Sequence, residues 1–88
     1  MSLADALRGE DYPCRYPFKL VCRPDALDDV KRAIRAALPA DAAPEWRQRA
    51  SRNGNYIALT VTIRAESAAQ IEAVYAALAP VPGIVTSL

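Results

Sequence analysis

Hydrophobic and polar residues alternate with a period of two along several stretches of the chain. In residues 55–65 the pattern is strict, with an aliphatic side chain at every second position. Such alternation is typical of a strand that has one buried and one solvated face. The aliphatic positions are Ile57, Leu59, Val61 and Ile63.

Three further stretches predict strands. Residues 14–22 alternate, although Pro17 predicts that regular pairing starts only near Phe18, since proline donates no hydrogen bond to a sheet. Residues 45–52 alternate arginine with Trp, Gln and Ala, and residues 84–88 form a short closing strand. The chain therefore carries four predicted strands.

A different spacing, with apolar residues three or four positions apart, predicts a helix within residues 23–39. Asp25 is placed to cap its first turn, and Pro39 ends it. Its apolar stripe consists of Leu27, Val30, Ile34 and Leu38.

Ser67 and Gln70 have the spacing of a capping box, in which each side chain bonds a backbone N–H at the start of a helix. They predict a second helix that ends at the segment APVPG, residues 79–83. The apolar stripe of this helix consists of Ile71, Val74, Tyr75 and Leu78.

Asn53 and Gly54 form the dipeptide preferred in type I′ hairpins, so we expect a two-residue turn between the second and third strands. The element order is then β-α-β-β-α-β. With right-handed crossovers this order predicts an α+β, ferredoxin-like two-layer sandwich, whose antiparallel sheet has the strand order 4-1-3-2.

The chain has 88 residues, enough for one small domain. We expect a flexible arm over residues 1–12 and a single domain over residues 13–88. The first residues show no basic segment followed by an apolar one, and no apolar run is long enough to cross a bilayer. A cytoplasmic protein without a membrane partner is expected.

The two cysteines, Cys14 and Cys22, fall at the ends of the first strand, about 26 Å apart if that strand is extended. They therefore cannot form a disulfide with each other. Unpaired thiols fit a reducing compartment.

The net charge is +1, which argues against strong overall attraction to nucleic acid or membranes. The charge is uneven, because residues 45–65 carry four arginines and one glutamate. This basic segment contains the predicted hairpin.

The predicted fold leaves one face of the sheet uncovered by helices. Alternation places on that face a set of polar and basic side chains: Lys19, Tyr56, Thr60, Thr62 and Arg64, with Arg47 and Arg49 from the second strand. They could form a binding surface for an anion, an RNA strand or a protein, or an ordinary solvated face. Trp46 could anchor an interface, although packing under the first helix is the favoured position.

Catalytic chemistry is poorly represented. The chain has no histidine, and two cysteines do not supply the four soft ligands of a zinc site. Acylphosphatases share the predicted fold, but the loop here offers Arg23 without the glycines of a phosphate cradle. We therefore predict no enzyme activity, no metal and no cofactor.

Several motifs together resemble the YbeD-like family of small bacterial proteins of unknown function. They are YPCRYPFKLV near the start and SRNGNYIALTVTIRAESAAQIEAVYAAL further on, and the resemblance covers about residues 12–88. The matching positions are Ser51, Gly54, Asn55, Tyr56, Gln70 and Tyr75. The chain departs from the family pattern at Asn53, often a lysine, and at CRP, where a glycine is usual.

The resemblance implies a ferredoxin-like, ACT-like domain with no established activity, regulated through ligands or partners and linked to lipoate metabolism. It adds Asn55 to the candidate binding residues, which are Lys19, Arg47, Arg49, Asn55, Tyr56 and Arg64. The favoured function is a regulatory or interaction module that binds a protein partner or a small metabolite on the open face or at a homodimer interface. The alternative is an RNA-binding module that uses the basic hairpin, which is disfavoured because only Tyr56 offers a ring for base stacking.

Overall fold

Two helices cover one side of a four-stranded antiparallel sheet in the computed structural model, which describes residues 12–87. The strands are β1 (Cys14–Cys22), β2 (Glu45–Ala50), β3 (Ile57–Ala65) and β4 (Ile84–Ser87). The helices are α1 (Leu27–Ala37) and α2 (Ala68–Leu78), with short 3₁₀ turns at Pro24–Ala26 and Ala40–Ala42.

The strand order is β2-β3-β1-β4, which confirms the predicted ferredoxin-like arrangement. All three pairings are antiparallel. The two nine-residue strands, β1 and β3, lie in the middle and pair along their whole length, whereas β4 pairs only with Leu20–Cys22 of β1. The predicted domain of residues 13–88 stays a prediction, and the predicted arm lies outside the described residues except for Tyr12.

The core lies between the sheet and the helices, as the two periodicities predict. Every second residue of β3 from Leu59 onward is buried, and Val30 and Ile34 of α1 are fully enclosed. The largest buried side chains are Phe18, Leu20, Ile34, Leu59, Ile63 and Ile71.

Three local predictions need correction. Pairing of β1 with β3 begins at Cys14 rather than near Phe18. Pro17 is tolerated within β1 because β4 runs beside that strand only from Leu20, so one side of Pro17 lacks a neighbour among the described residues.

Asp25 does not cap α1, which is the second correction. A 3₁₀ turn precedes the helix, and no side chain caps its first turn, because Asp25 lies inside that 3₁₀ turn. The Asp25 carboxylate instead accepts from the Arg23 guanidinium at 3.3 Å. The Ser67 cap of α2 is confirmed, since Ser67 Oγ accepts from the Gln70 N–H at 3.4 Å. The return bond of the predicted capping box is displaced by one residue, because Gln70 Oε1 accepts from the Glu66 N–H at 2.7 Å.

The hairpin between β2 and β3 is the third correction. It is longer than the predicted two-residue turn, because residues 51–56 separate the strands and, of the residues in that connection, only Gly54 has a positive φ, of 72°. The Ser51 carbonyl accepts from the Gly54 N–H at 2.9 Å, and the Ser51 hydroxyl accepts from the Tyr56 N–H at 3.1 Å. Serine thus supplies two acceptors, which close a wider loop than a type I′ turn requires.

Candidate functional site

The uncovered face of the sheet is built from rows of residues that pair across the strands. One row runs from Arg47 through Thr60 to Lys19, and the next from Arg49 through Ala58 to Val21. Directly paired side chains lie on the same face, about 5 Å apart at Cβ. The register therefore gathers Lys19, Arg47 and Arg49 into one basic patch.

The basic patch lacks acidic partners within the described chain. No carboxylate of residues 12–87 forms an ion pair with Lys19, Arg47 or Arg49. Arg52, in the adjoining loop, likewise forms no ion pair with a carboxylate of residues 12–87. Positive charge is therefore concentrated at the hairpin end of the open face.

The opposite end of the open face is neutralised. Arg15 pairs with Glu45 at 2.8 Å, and Arg64 pairs with Glu66 at 3.4 Å. Arg64 is eight residues after Tyr56, about 26 Å if the chain between them is extended. The structure therefore does not bring Arg64 together with the other candidate residues.

Tyr56 marks the hairpin end of the patch. It precedes β3 instead of lying within it, and its side chain is 44% exposed. A groove of about 530 Å³ lies on the open face beside it, lined by Val21, Arg49, Ala50, Ser51, Arg52, Tyr56 and Ala58. A neighbouring groove of about 330 Å³, lined by Arg47, Gln48, Arg49, Ala58 and Thr60, shares two of these residues.

Asn55 lies in the hairpin loop, off the sheet face. It lines a third cleft, of about 440 Å³, together with Tyr56, Gly54 and the segment 23–25. Tyr56 thus lies between the open face and this cleft.

Sequence reasoning does not place Arg52 in the site, because the two-residue turn it predicts leaves Arg52 within the second strand.

Trp46 packs on the helix side of the sheet, the position favoured for it, although the alternation of β2 alone does not determine its face. Its ring is half-buried against the core, opposite Val61. The Arg35 guanidinium lies 5.1 Å from the ring centre and the Lys31 ammonium lies 6.0 Å from it. Cations therefore flank β2 on the helix side as well.

Two titratable groups on the covered side, Cys22 and Tyr75, have raised pKa values. Burial raises the pKa of the Cys22 thiol, and the negative charge of Asp25 raises it further. Burial and a 3.2 Å hydrogen bond with the Tyr16 hydroxyl raise the pKa of Tyr75. Both groups are held in their neutral forms, which are poor nucleophiles.

Neither cysteine forms a disulfide. Within residues 12–87, no three side chains of the His, Cys, Asp and Glu types are grouped as metal ligands. In the same part of the chain, no helix has the length and apolarity needed to cross a membrane.

Comparison with known proteins points to one family. Residues 9–88 match the family described as "Protein of unknown function (DUF493)". A UPF0250 protein of Shewanella loihica is 37% identical over 76 residues, covering 84% of both chains. A UPF0250 protein of Pasteurella multocida is 34% identical with the same coverage, and one of Buchnera aphidicola is 30% identical over 66 residues, covering 73% of this chain and 74% of its own.

A solved structure shares the fold. The solution structure of the C-terminal domain of the MgtC protein from Mycobacterium tuberculosis superposes with a TM-score of 0.66, covering 90% of this chain and 88% of that domain. The sequence identity is 20%, so the likeness concerns the fold alone.

Proposed function

Because this chain belongs to the DUF493 family, whose function is unknown, we propose a function from its own surface: an interaction module that binds an acidic surface of a partner protein. The binding region is the open face around Lys19, Arg47, Arg49 and Tyr56. Membership confirms the resemblance to the YbeD-like family, and that family carries no established activity.

The proposal is carried by the unpaired charge of the basic patch. Elsewhere on the open face arginines pair with glutamates, whereas no carboxylate of residues 12–87 pairs with Lys19, Arg47 or Arg49. Arginine stays protonated throughout the physiological range and presents a planar fork that matches a carboxylate. A complementary acidic surface gains both faster association and a fixed orientation from such a patch.

A protein fits this surface better than the other two ligand classes considered. RNA recognition on a sheet stacks bases on two or three rings, and Tyr56 is the one aromatic residue that the described strands and hairpin offer on the open face. A small metabolite is usually enclosed by its site, whereas these grooves lie on the surface of the sheet. Regulation, and a link to lipoate metabolism, remain what the family resemblance implies.

Site-specific photo-crosslinking in cells tests the proposal. A benzophenone amino acid replaces Thr60, at the centre of the open face, or Ala76, which is exposed on α2, on the other side of the molecule. We expect a discrete protein adduct from position 60 that is absent from position 76. The double reversal Arg47→Glu and Arg49→Glu should abolish it.

Three results contradict the proposal. Equal adducts from both positions would indicate non-specific contact. An adduct that still forms after the double reversal would show that the charges of Arg47 and Arg49 do not direct binding. If no protein adduct forms and native mass spectrometry shows a bound small molecule instead, the metabolite interpretation replaces the protein one.

A further inference from the structure

The outer edge of β2 carries backbone groups that no described strand uses. β2 ends the strand order, so within residues 12–87 only β3 pairs with it. The Ser51 N–H donates to the Tyr56 carbonyl at 2.8 Å, and the register continues from there through β2 without a shift. In an antiparallel strand, successive residues point their N–H and C=O groups to alternate sides.

This alternation identifies the free groups. The N–H and C=O groups of Arg47 and Arg49 point toward β3, in phase with those of Ser51. The outward-pointing groups belong to Trp46, Gln48 and Ala50. Their spacing matches one side of a further antiparallel or parallel strand.

Cations line this edge on both sides of the sheet. Arg47 and Arg49 lie on the open face without carboxylate partners among the described residues. On the helix side, Lys31 Nζ donates to Gln48 Oε1 at 3.0 Å, and Arg35 lies over the neighbouring indole ring. A strand added here would run between two rows of positive charge.

The edge is also accessible. Five of the six residues of β2 are exposed, all but Trp46. The groove of about 330 Å³ on the open face is lined in part by Arg47, Gln48 and Arg49, so it adjoins this strand.

The other edge of the sheet is less suited to pairing. β4 has four residues, and its register with β1 shifts between Val21 and Cys22. Short strands and bulges are the means by which natural sheets block their edges. β2 is regular along its paired length and contains no proline.

We propose that β2 accepts an extended acidic segment of a partner protein as a fifth strand of the sheet. The inference rests on the proposed function and names its mode of binding, which is β-augmentation. The main chain of the segment bonds the outward groups of Trp46, Gln48 and Ala50. Its acidic side chains lie beside Arg47 and Arg49.

A second copy of this chain fits the edge less well. An antiparallel pair of β2 strands centred on Gln48 sets Arg47 opposite Arg49 twice. Like charges directly opposite each other across strands are destabilising. Charge complementarity therefore selects an acidic segment over self-association.

The test uses a synthetic nine-residue peptide, acetyl-GEVEVEVEG-amide, titrated into the full chain at low salt and followed by NMR. The Gln48→Pro variant removes an outward N–H without removing a bond to β3, since proline is tolerated at such edge positions. Gln48→Ala is the matched control, because it loses the side-chain bond to Lys31 but keeps the N–H. We expect the proline variant to bind at least about tenfold more weakly and the alanine variant within about twofold of the wild type.

Amide hydrogen exchange on the wild type gives a second reading that does not depend on a variant folding. The peptide should slow exchange at Trp46, Gln48 and Ala50 and leave Arg47 and Arg49 nearly unchanged. Equal affinities of the proline and alanine variants for the peptide overturn the proposal. A dimer of the free chain that the proline variant abolishes also overturns it, because the edge of β2 would then bind a second copy of the chain.

The remaining outcomes separate this proposal from the proposed function. Peptide-induced changes confined to Lys19 and Thr60 support binding on the open face and reject the edge. No binding at millimolar peptide also rejects the edge, while crosslinks at position 60 would still support a protein partner.

Discussion

The covered and open faces of the sheet are made by alternate residues of the same strands, yet the side chains on the two faces have different roles. Phe18 is 1% exposed and contacts two tyrosine rings edge-on, with centroids 5.0 and 5.1 Å away. Lys19, the next residue, is exposed opposite Thr60 on the other face. One step along the chain thus separates a residue that stabilises the fold from one available for recognition.

The largest difference between the faces should appear when Phe18 and Lys19 are truncated in turn. Phe18→Ala removes a buried ring and leaves a cavity, so we expect a loss of about 3–5 kcal/mol in the free energy of unfolding. Lys19→Ala should change it by less than about 0.5 kcal/mol. Urea unfolding measures both.

The outcome for Lys19→Ala can break the comparison. A loss of more than about 1 kcal/mol would mean that the open face stabilises the fold, since surface changes usually cost less than that. Its charge would then no longer be free for a partner.

A smaller contrast involves two glycines with positive φ. A Cβ at Gly83 (φ 89°) would lie 2.7 Å from the Cβ of Ala26, a buried residue directly before α1, whereas a Cβ at Gly54 (φ 72°) meets nothing within 4 Å. We expect Gly83→Ala to lower the free energy of unfolding by about 3 kcal/mol, through crowding and backbone strain together. Gly54→Ala should cost about 1 kcal/mol, from the backbone alone.

Thermal unfolding of the two alanine variants side by side checks this difference. If Gly54→Ala proves as costly as Gly83→Ala, the hairpin loop is more tightly constrained than its open surroundings indicate. Crowding against Ala26 would then not be needed to explain the loss of stability in Gly83→Ala.

The smallest effect concerns pH and belongs to the covered face. Burial and the Tyr16 hydroxyl raise the pKa of Tyr75 above its ordinary value of 10.0, so the folded chain holds a proton that the unfolded chain releases. The stabilisation is complete below pH 10 and declines as the pH rises above it. Tyr75→Phe should flatten this alkaline decline in melting temperature, and an unchanged slope would assign it to other groups.

Much of the fold is predictable because periodicity alone determines which side chains share a face. The strict alternation of residues 55–65 places Leu59, Val61 and Ile63 in the core, as observed. The strand order follows from connection handedness. The alternation of this strand and the handedness of the connections therefore both agree with the tertiary structure.

Two of the three local errors arise where one residue has two competing bonding options. Ser51 uses both its carbonyl and its hydroxyl to close the hairpin, which the dipeptide Asn53-Gly54 does not reveal. Asp25 bonds Arg23 instead of the helix N-terminus. Such choices depend on neighbours brought together by the fold, so sequence propensity cannot settle them.

The candidate site, like the fold, is predicted only in part by the sequence. Alternation correctly assigns Lys19, Arg47 and Arg49 to one face. It cannot show that Arg64 pairs with Glu66, because that depends on side-chain geometry at the end of β3. The basic patch is therefore smaller than the set of basic residues in the sequence.

The single tryptophan gives the molecule a built-in optical reporter at the edge of its sheet. Trp46 lies in β2, half-buried, with two cations near its ring, so its emission depends on the polarity and charge within a few ångströms of that strand. A ligand that covers β2 changes those surroundings, whereas one centred on Lys19 lies two strands away, on the opposite face. Intrinsic fluorescence of the unlabelled chain consequently distinguishes occupation of the edge from occupation of the open face.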